Sequence, residues 1–278
     1  MRTAQKSIQR TKAVFAQTER GSIMKFDGII FDWAGTTVDY GCFAPVKAFL
    51  DAFEQWGITP TLEEVRKPMG MLKIDHVRTM LSMERISSEW KRIHSRDWTE
   101  EDVQRIYELS ESGILKIVEN YSDPKPYVVE TVNELRAMGL KIGSTTGYTD
   151  EMMNIVVPAA KKLGYAADCW FSPDAVGHKG RPYPYMIFKN MEALGLMDVS
   201  RVMKVGDTVA DIKEGKNAGL ISVGILEGSS VMGLTKEEYE GLSADERAAM
   251  DAKAEKVYKD AGADYVIRDI RGVLELVK

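Results

Sequence analysis

Cysteine is almost missing from this chain of 278 residues, which holds only Cys42 and Cys169. Two thiols cannot build a disulfide framework or a zinc cluster, so a reducing cytoplasm is the expected setting. Long apolar runs are absent as well, and nothing in the sequence could span a bilayer. Positive charge is not in excess: 37 Lys and Arg face 42 Asp and Glu, for a formal charge of -5. That balance argues against a general nucleic-acid binder, which needs a basic stripe. What is present is ordinary for a soluble globular protein, with 44% hydrophobic and 28% charged residues. The length suits one large domain or two modest ones.

Residues 1–22 differ from the rest. Arg2, Lys6, Arg10, Lys12 and Arg20 stand against the single acid Glu19. Such a segment is basic and acid-poor like an organelle transit peptide, yet it lacks an apolar face, and it has no core for a secretory signal. A disordered leader, or an over-extended start with Met24 as the natural initiator, is the favoured reading.

From Lys25 onward the pattern is that of a folded protein. Phe26–Phe31 is a short apolar run ending at Asp32, which predicts a buried strand. Helical spacing follows as far as about residue 120. Val46, Phe49, Leu50, Phe53 and Trp56 mark one helix, and Thr61 with Glu64 offers a capping box for the next. Pro68-Met69-Gly70 is a break, after which Ile74, Val77 and Leu81 mark another helix. Val103, Ile106 and Tyr107, then Ile114, Leu115 and Val118, mark one or two more.

Tyr121–Pro126 reads as a linker, and strands then alternate with helices. Strands are predicted at 140–145, 169–172, 202–205, 221–225 and 265–267. Helices are predicted around 128–135, 149–163, 183–194 and 209–218. This alternation predicts an α/β fold, a doubly wound and mostly parallel sheet covered on both faces. A crossover needs only a dozen or so residues, so the long helical stretch is expected to be an α-helical cap domain inserted after the first strand. The expected division is a core of 23–40 and 125–278 with a cap of 41–124. Ligands of open α/β sheets sit beyond the strands' C-terminal ends, where the cap could roof them.

Polar clusters fall at those ends: Asp32–Thr37, Ser144–Gly147 and Gly206–Asp211, with Gly180–Pro184 before a helix. Asp32 and Asp207 each end an apolar run, where a buried carboxylate is unfavourable unless paired or metal-bound. Two acids converging there suit a hard divalent cation such as magnesium. Either acid alone reads equally as a helix cap; the whole set at four strand ends does not.

The set resembles the haloacid dehalogenase superfamily of phosphotransferases, from residue 25 to the end of the chain. Within it the closest likeness is to the branch that hydrolyses the carbon–phosphorus bond of phosphonoacetaldehyde. The likeness rests on Phe31–Cys42, on Lys67–His76 and on Gly143–Tyr148. The resemblance implies a Rossmannoid core, Asp32 as nucleophile and one Mg2+ per subunit. It implies metal ligation by Asp32, the Ala34 carbonyl and Asp207, with Asp211 orienting ligands from behind. Thr146, Gly147, Tyr148 and Arg181 would meet the substrate along with Cys42, Met69, Gly70 and His76. A homodimer and a role in 2-aminoethylphosphonate degradation are implied too.

One departure is informative. Most superfamily phosphohydrolases carry a second Asp two residues after the nucleophile, and here that residue is Ala34. Losing that general acid removes help worth about 10²–10⁴-fold to an alkoxide leaving group. A carbon leaving group stabilised in another way would not need it. Lys73 offers such a way, since an amine that condenses with an aldehyde gives an imine able to accept the C–P electrons. To react near neutral pH Lys73 must lose its proton easily, which burial under a closed cap would promote. His76 could assist proton transfer or simply satisfy a contact, and Met69 could keep the amine dry or only pack. Cys42 could lie beside Asp32 or be an idle core thiol. His94 and His178 match no motif and are expected on the surface. The competing readings are a sugar-phosphate phosphatase or mutase, which Ala34 and Lys73 disfavour, and a catalytically dead phosphate-binding subunit, which Asp32, Asp207 and Lys73 disfavour.

Overall fold

The computed structural model describes residues 25–278. The expected leader and the proposed start at Met24 lie outside the described residues. Six strands form one sheet: β1 (Gly28–Phe31), β2 (Lys141–Thr145), β3 (Cys169–Phe171), β4 (Val202–Gly206), β5 (Ile221–Ile225) and β6 (Tyr265–Ile267). Their spatial order is β3-β2-β1-β4-β5-β6 and every pairing is parallel. Such sheets bury both faces, and β1 shows why its sequence is continuously apolar. Ile29 and Phe31 join the core on one face while Ile30 joins the core on the other.

Six helices lie between β1 and β2. They are α1 (Phe43–Glu54), α2 (Leu62–Arg66), α3 (Lys73–Leu81), α4 (Glu84–His94), α5 (Glu100–Ile117) and α6 (Val128–Ala137). The first five have their own hydrophobic cluster, built from Phe49, Phe53, Val77, Leu81, Trp90 and Ile106 among others. Ala48 of α1 and Ile114 of α5 turn the other way, into the core beside the sheet. Gly113 lets those two helices approach, since a Cβ there would stand 3.3 Å from the Ala48 Cβ. The Thr61–Glu64 capping box forms. The two predicted segments before residue 118 are one helix, α5, which tightens into a 3-10 turn at Val118–Tyr121.

Around the rest of the sheet run α7 (Asp150–Lys162), α8 (Tyr185–Leu194), α9 (Val209–Ala218), α10 (Lys236–Gly241), α11 (Ala244–Asp260) and α12 (Gly272–Val277). Four helices, α4, α11, α10 and α12, carried no sequence signal used above. The segment of α4 buries only Ile86 and Trp90, and α11 buries only Ala254 and Tyr258. Ile86, Trp90 and Ile93 of α4 do recur at helical spacing, a signal that went unused, whereas α11 is too polar to show a period. The third, α10, is one short turn-rich piece started by the Thr235–Glu238 capping box.

The chain runs from β1 outward to β2 and β3, then returns to β4 on the other side of β1. The crevice outside the strand ends therefore opens between β1 and β4, at the topological switch point. Asp32 and Asp207 follow those two strands directly, and Phe31 and Val205 are register partners.

Candidate active site

Asp32 and Asp207 are brought together, and α9 adds Asp211. One carboxylate oxygen from each lies within 4.8 Å of the others, and all three side chains are buried. Gly35 makes the approach possible: its φ is +85°, and a Cβ there would stand 2.1 Å from Asp207 Oδ2. Thr208 caps α9 in a capping box with Asp211, whose Oδ2 accepts from Thr208 Oγ1 at 2.6 Å. Asp207 accepts from Thr36 Oγ1 (3.2 Å) and from the Ser230 backbone N–H (2.7 Å).

Arg181 enters this cluster from the other side. It donates through Nη2 to Asp32 Oδ1 (2.6 Å) and to Thr145 Oγ1 (2.9 Å), and through Nε to Glu214 Oε2 (3.0 Å). Its Nη1 lies 3.0 Å from Asp211 Oδ1. A second buried cation, Lys204 of β4, stands 2.9 Å from Asp211 Oδ1 and 3.3 Å from Glu214 Oε2. Lys204 also donates to Thr145 Oγ1 (2.7 Å), which itself donates to Glu214 (2.9 Å).

The electrostatics follow from this wiring. Burial pulls the Arg181 pKa down, but Asp211, Asp32 and Glu214 outweigh it and hold the guanidinium charged. Burial pushes Asp211 up, yet Arg181 and Lys204 pull it below the usual carboxylate range. Asp32 ends above its ordinary value, raised by burial and by Asp211 against the pull of Arg181. Asp207, with no cation in contact, is pushed far up by burial and then by Asp32 and Asp211. Three carboxylates (Asp32, Asp211, Glu214) meet two cations (Arg181, Lys204) within 3.3 Å, and Asp207 adds a fourth acid that neither cation touches. A surplus of buried acid with all-oxygen donors is the chemistry that a hard divalent cation answers.

Above the cluster, the insert and the sheet enclose a cavity of about 20 Å³. Asp32, Ala34, Cys42, Met69, Gly70, Lys73, Thr146, Gly147, Tyr148 and Arg181 all line it, as do Pro45 and Thr208. Room of that size holds about one water. Gly70 is the point of closest approach: its φ is +86°, and a Cβ would stand 2.4 Å from Thr208 Oγ1. Lys73, the first residue of α3, is 3% exposed. Its Nζ lies 5.2 Å from the ring centre of Tyr148 and 5.8 Å from that of Phe49. Burial lowers its pKa below the ordinary lysine value, with Arg181 adding to the effect and Cys42 and Asp32 opposing it. Burial likewise pushes the Cys42 thiol well up, leaving it protonated.

His76 is buried and is not among the residues lining the cavity; its ring stacks on Phe49 with ring centres 4.0 Å apart. Both ring nitrogens fall outside hydrogen-bonding geometry, with only a weak contact from the Val65 backbone. Lys73 shares that neighbour, its Nζ 5.8 Å from the Phe49 ring centre, and its charge helps to hold the His76 pKa down. His94 is half-buried: it packs against both Trp56 and Trp90, its Nε2 3.1 Å from the Trp56 carbonyl. His178 is exposed, beside Asp174.

Several participants were not singled out from the sequence. Lys204 carried a usable signal, a lone charge in the middle of the apolar strand Val202–Gly206. Glu214 follows Asp207 and Asp211 at helical spacing, and the same pattern would have found it. Lys125 carried none: it sits in the linker before α6, donating to the Gly35 carbonyl (2.5 Å) and the Glu227 carbonyl (2.6 Å).

A family profile of haloacid dehalogenase-like hydrolases matches residues 26–219. The chain is 52% identical to a phosphonoacetaldehyde hydrolase of Lysinibacillus sphaericus over 254 residues, covering 91% of this chain and 94% of the relative. It is 51% identical over 243 residues to a bifunctional phosphonoacetaldehyde hydrolase/aminoethylphosphonate transaminase of Clostridioides difficile, of which the match spans 38%. The crystal structure of a phosphonoacetaldehyde hydrolase-like protein from Oleispira antarctica superposes with a TM-score of 0.88 at 36% identity, covering 93% of this chain and 94% of that one.

Proposed function

The chain belongs to the haloacid dehalogenase-like hydrolases, and from that premise we propose that it hydrolyses the carbon–phosphorus bond of phosphonoacetaldehyde to acetaldehyde and phosphate. The observation that carries this reading is the shared cavity: Lys73 from the helical insert and Asp32 from the sheet line one buried space. In the proposed reaction, neutral Lys73 condenses with the aldehyde and releases water. Asp32 then attacks phosphorus, and the C–P electron pair moves into the protonated imine to leave an enamine. The enamine takes a proton and is hydrolysed, returning Lys73 and acetaldehyde, and a second water frees phosphate from Asp32.

Each neighbour supports a part of this sequence. Arg181, held charged by three buried carboxylates, suits the phosphonate oxygens. Thr146 and the Gly147 amide suit the same group, and Cys42, Met69 and Tyr148 give the aldehyde end a dry wall. Ala34 offers no acid, in keeping with a leaving group that the imine stabilises. The acid cluster fits one Mg2+ per subunit, held by Asp32, Asp207 and the Ala34 carbonyl with Asp211 behind, and the ion would neutralise the phosphonate as the carboxylate approaches. The helical insert, 41–124, is read as a cap that opens to admit substrate and closes to bring Lys73 over Asp32.

Among the described residues no helix is long and apolar enough to cross a membrane. We place the protein in the cytoplasm, as a homodimer acting in 2-aminoethylphosphonate degradation; sedimentation of the full chain tests the dimer.

Borohydride trapping decides the chemistry. Incubation with phosphonoacetaldehyde and borohydride should leave a reduced adduct that maps to Lys73 by mass. Turnover of phosphate esters with no adduct, or inertness towards both substrates, would sink the proposal.

A further inference from the structure

The acid cluster is also held from behind, by the loop that follows β5. Ser230 gives its backbone N–H to Asp207 Oδ2 (2.7 Å), and its carbonyl accepts from Arg66 Nη1 (3.3 Å). The same Nη1 donates to the Gly41 carbonyl at 2.7 Å, and the Gly41 N–H in turn donates to the Gly228 carbonyl at 2.8 Å. Arg66 closes α2 in the insert, Gly41 lies in the linker entering the insert, and Ser230 belongs to the sheet domain. One guanidinium therefore joins three segments that cap opening would separate.

The setting is built for that side chain. Its plane rests 5.0 Å from the centre of the Phe43 ring. Gly233, at φ +65°, leaves the space that the guanidinium fills, since a Cβ there would stand 2.6 Å from Arg66 Nε. Arg66 Nη2 is buried with no hydrogen-bond partner. Its direct partners are carbonyls, not carboxylates, so the group is not a surface ion pair. Burial lowers its pKa, while Cys42, Asp39 and Asp207 raise it, so its charge is felt at the acid cluster.

We propose that Arg66 is a positioning residue that fastens the closed cap to the Ser230 loop and thereby fixes the Asp207 carboxylate for magnesium. The proposal rests on the functional reading above. Withdrawal of Arg66 with an opening cap removes the donor from the Ser230 carbonyl and loosens the amide that holds Asp207. Coupling of this kind is reciprocal, so magnesium should in turn favour the closed cap.

The test compares the full-length protein with Arg66→Lys and Arg66→Gln. Lysine keeps the charge but lacks the planar fork that reaches two carbonyls while stacked on Phe43. Magnesium affinity is measured by calorimetry, and exchange of the Ser230 amide by hydrogen–deuterium mass spectrometry. Both variants should bind magnesium about tenfold more weakly and exchange the Ser230 amide about tenfold faster, the size of a lost charged hydrogen bond. Wild-type values of either quantity in Arg66→Lys overturn the proposal. If Arg66→Gln fails to fold, Arg66→Lys decides alone. Neither readout needs turnover, so the result stands apart from the question of whether the wild-type protein cleaves phosphonoacetaldehyde.

Discussion

Arg181 and Asp32 grip each other across 2.6 Å, Nη2 donating to Oδ1, in the wall of the cavity. The proposed nucleophile is thus already covered by the cation that would receive the phosphonate. Substrate binding is then an exchange of anions on one guanidinium, with Glu214, Thr145 and Asp211 holding that guanidinium still.

Replacing Arg181 should separate charge from shape. Arg181→Lys keeps one positive charge but cannot serve Asp32, Glu214 and Thr145 together, and kcat/KM for phosphonoacetaldehyde should fall by about 10²-fold or more, chiefly through KM. Arg181→Ala should also lose about 3–5 kcal/mol of stability in urea unfolding, because buried carboxylates are left without their cation. A wild-type KM in the lysine variant would remove Arg181 from substrate binding.

Lys73 should react at lower pH than an ordinary lysine. Burial pulls its pKa below the usual 10.5, so the free amine persists to lower pH and is lost only as pH falls through the depressed value. The rate of borohydride-trapped adduct plotted against pH should have its midpoint below 10.5. A midpoint at or above that value would mean that the amine is not desolvated during condensation. Lys73→Arg should give no adduct at all.

Asp207 is the acid most in need of a cation. Its pKa is raised by burial, then by Asp32 and Asp211, so the charged form weakens the metal-free fold as pH rises above the ordinary 3.8. In metal-free buffer at neutral pH, Asp207→Asn should therefore melt at or above the wild-type temperature. Magnesium at 100 times its Kd should stabilise the wild type by about 2.7 kcal/mol and leave the variant unmoved. Equal magnesium-induced shifts in both proteins would place the ion elsewhere.

His76 should cost stability in mild acid. Burial, then Lys73, holds its pKa well below the ordinary 6.5. The unfolded chain takes up a proton near that value and the folded chain does not. Stability is intact above pH 6.5 and is lost as pH falls below it, by up to about 1.4 kcal/mol per pH unit from this group. His76→Phe, which keeps a ring against Phe49, should flatten the dependence between pH 5 and 7 in urea unfolding. Identical slopes would show that the ring is reached by water.

The parallel sheet was legible because β1, β2 and β4 bury both faces and their apolar runs stop at polar clusters. The positions of Asp32, Lys73 and Thr146 around one cavity could be anticipated from the strings that resemble the family, and that of Arg181 from the Gly180–Pro184 cluster. The wiring beneath could not. Lys204 looks like an interruption of β4 until its partners Asp211, Glu214 and Thr145 are brought in from two other elements. For His76, helical spacing gave its side of α3, but its stacking on Phe49 of α1 is a contact between two elements that no spacing within one helix can show. The helix α11 escaped notice because a mostly solvated helix has little apolar period to read, while α4 carried one in Ile86, Trp90 and Ile93.

The cavity between Lys73 and Asp32 has one further consequence. A chamber that holds a single water cannot accept an aldehyde bearing a phosphonate, so the shut molecule is its own competitor for substrate. If the insert opens as proposed, collisions count only while helix and sheet stand apart, and a thicker solvent should slow capture more than it slows the breaking of bonds.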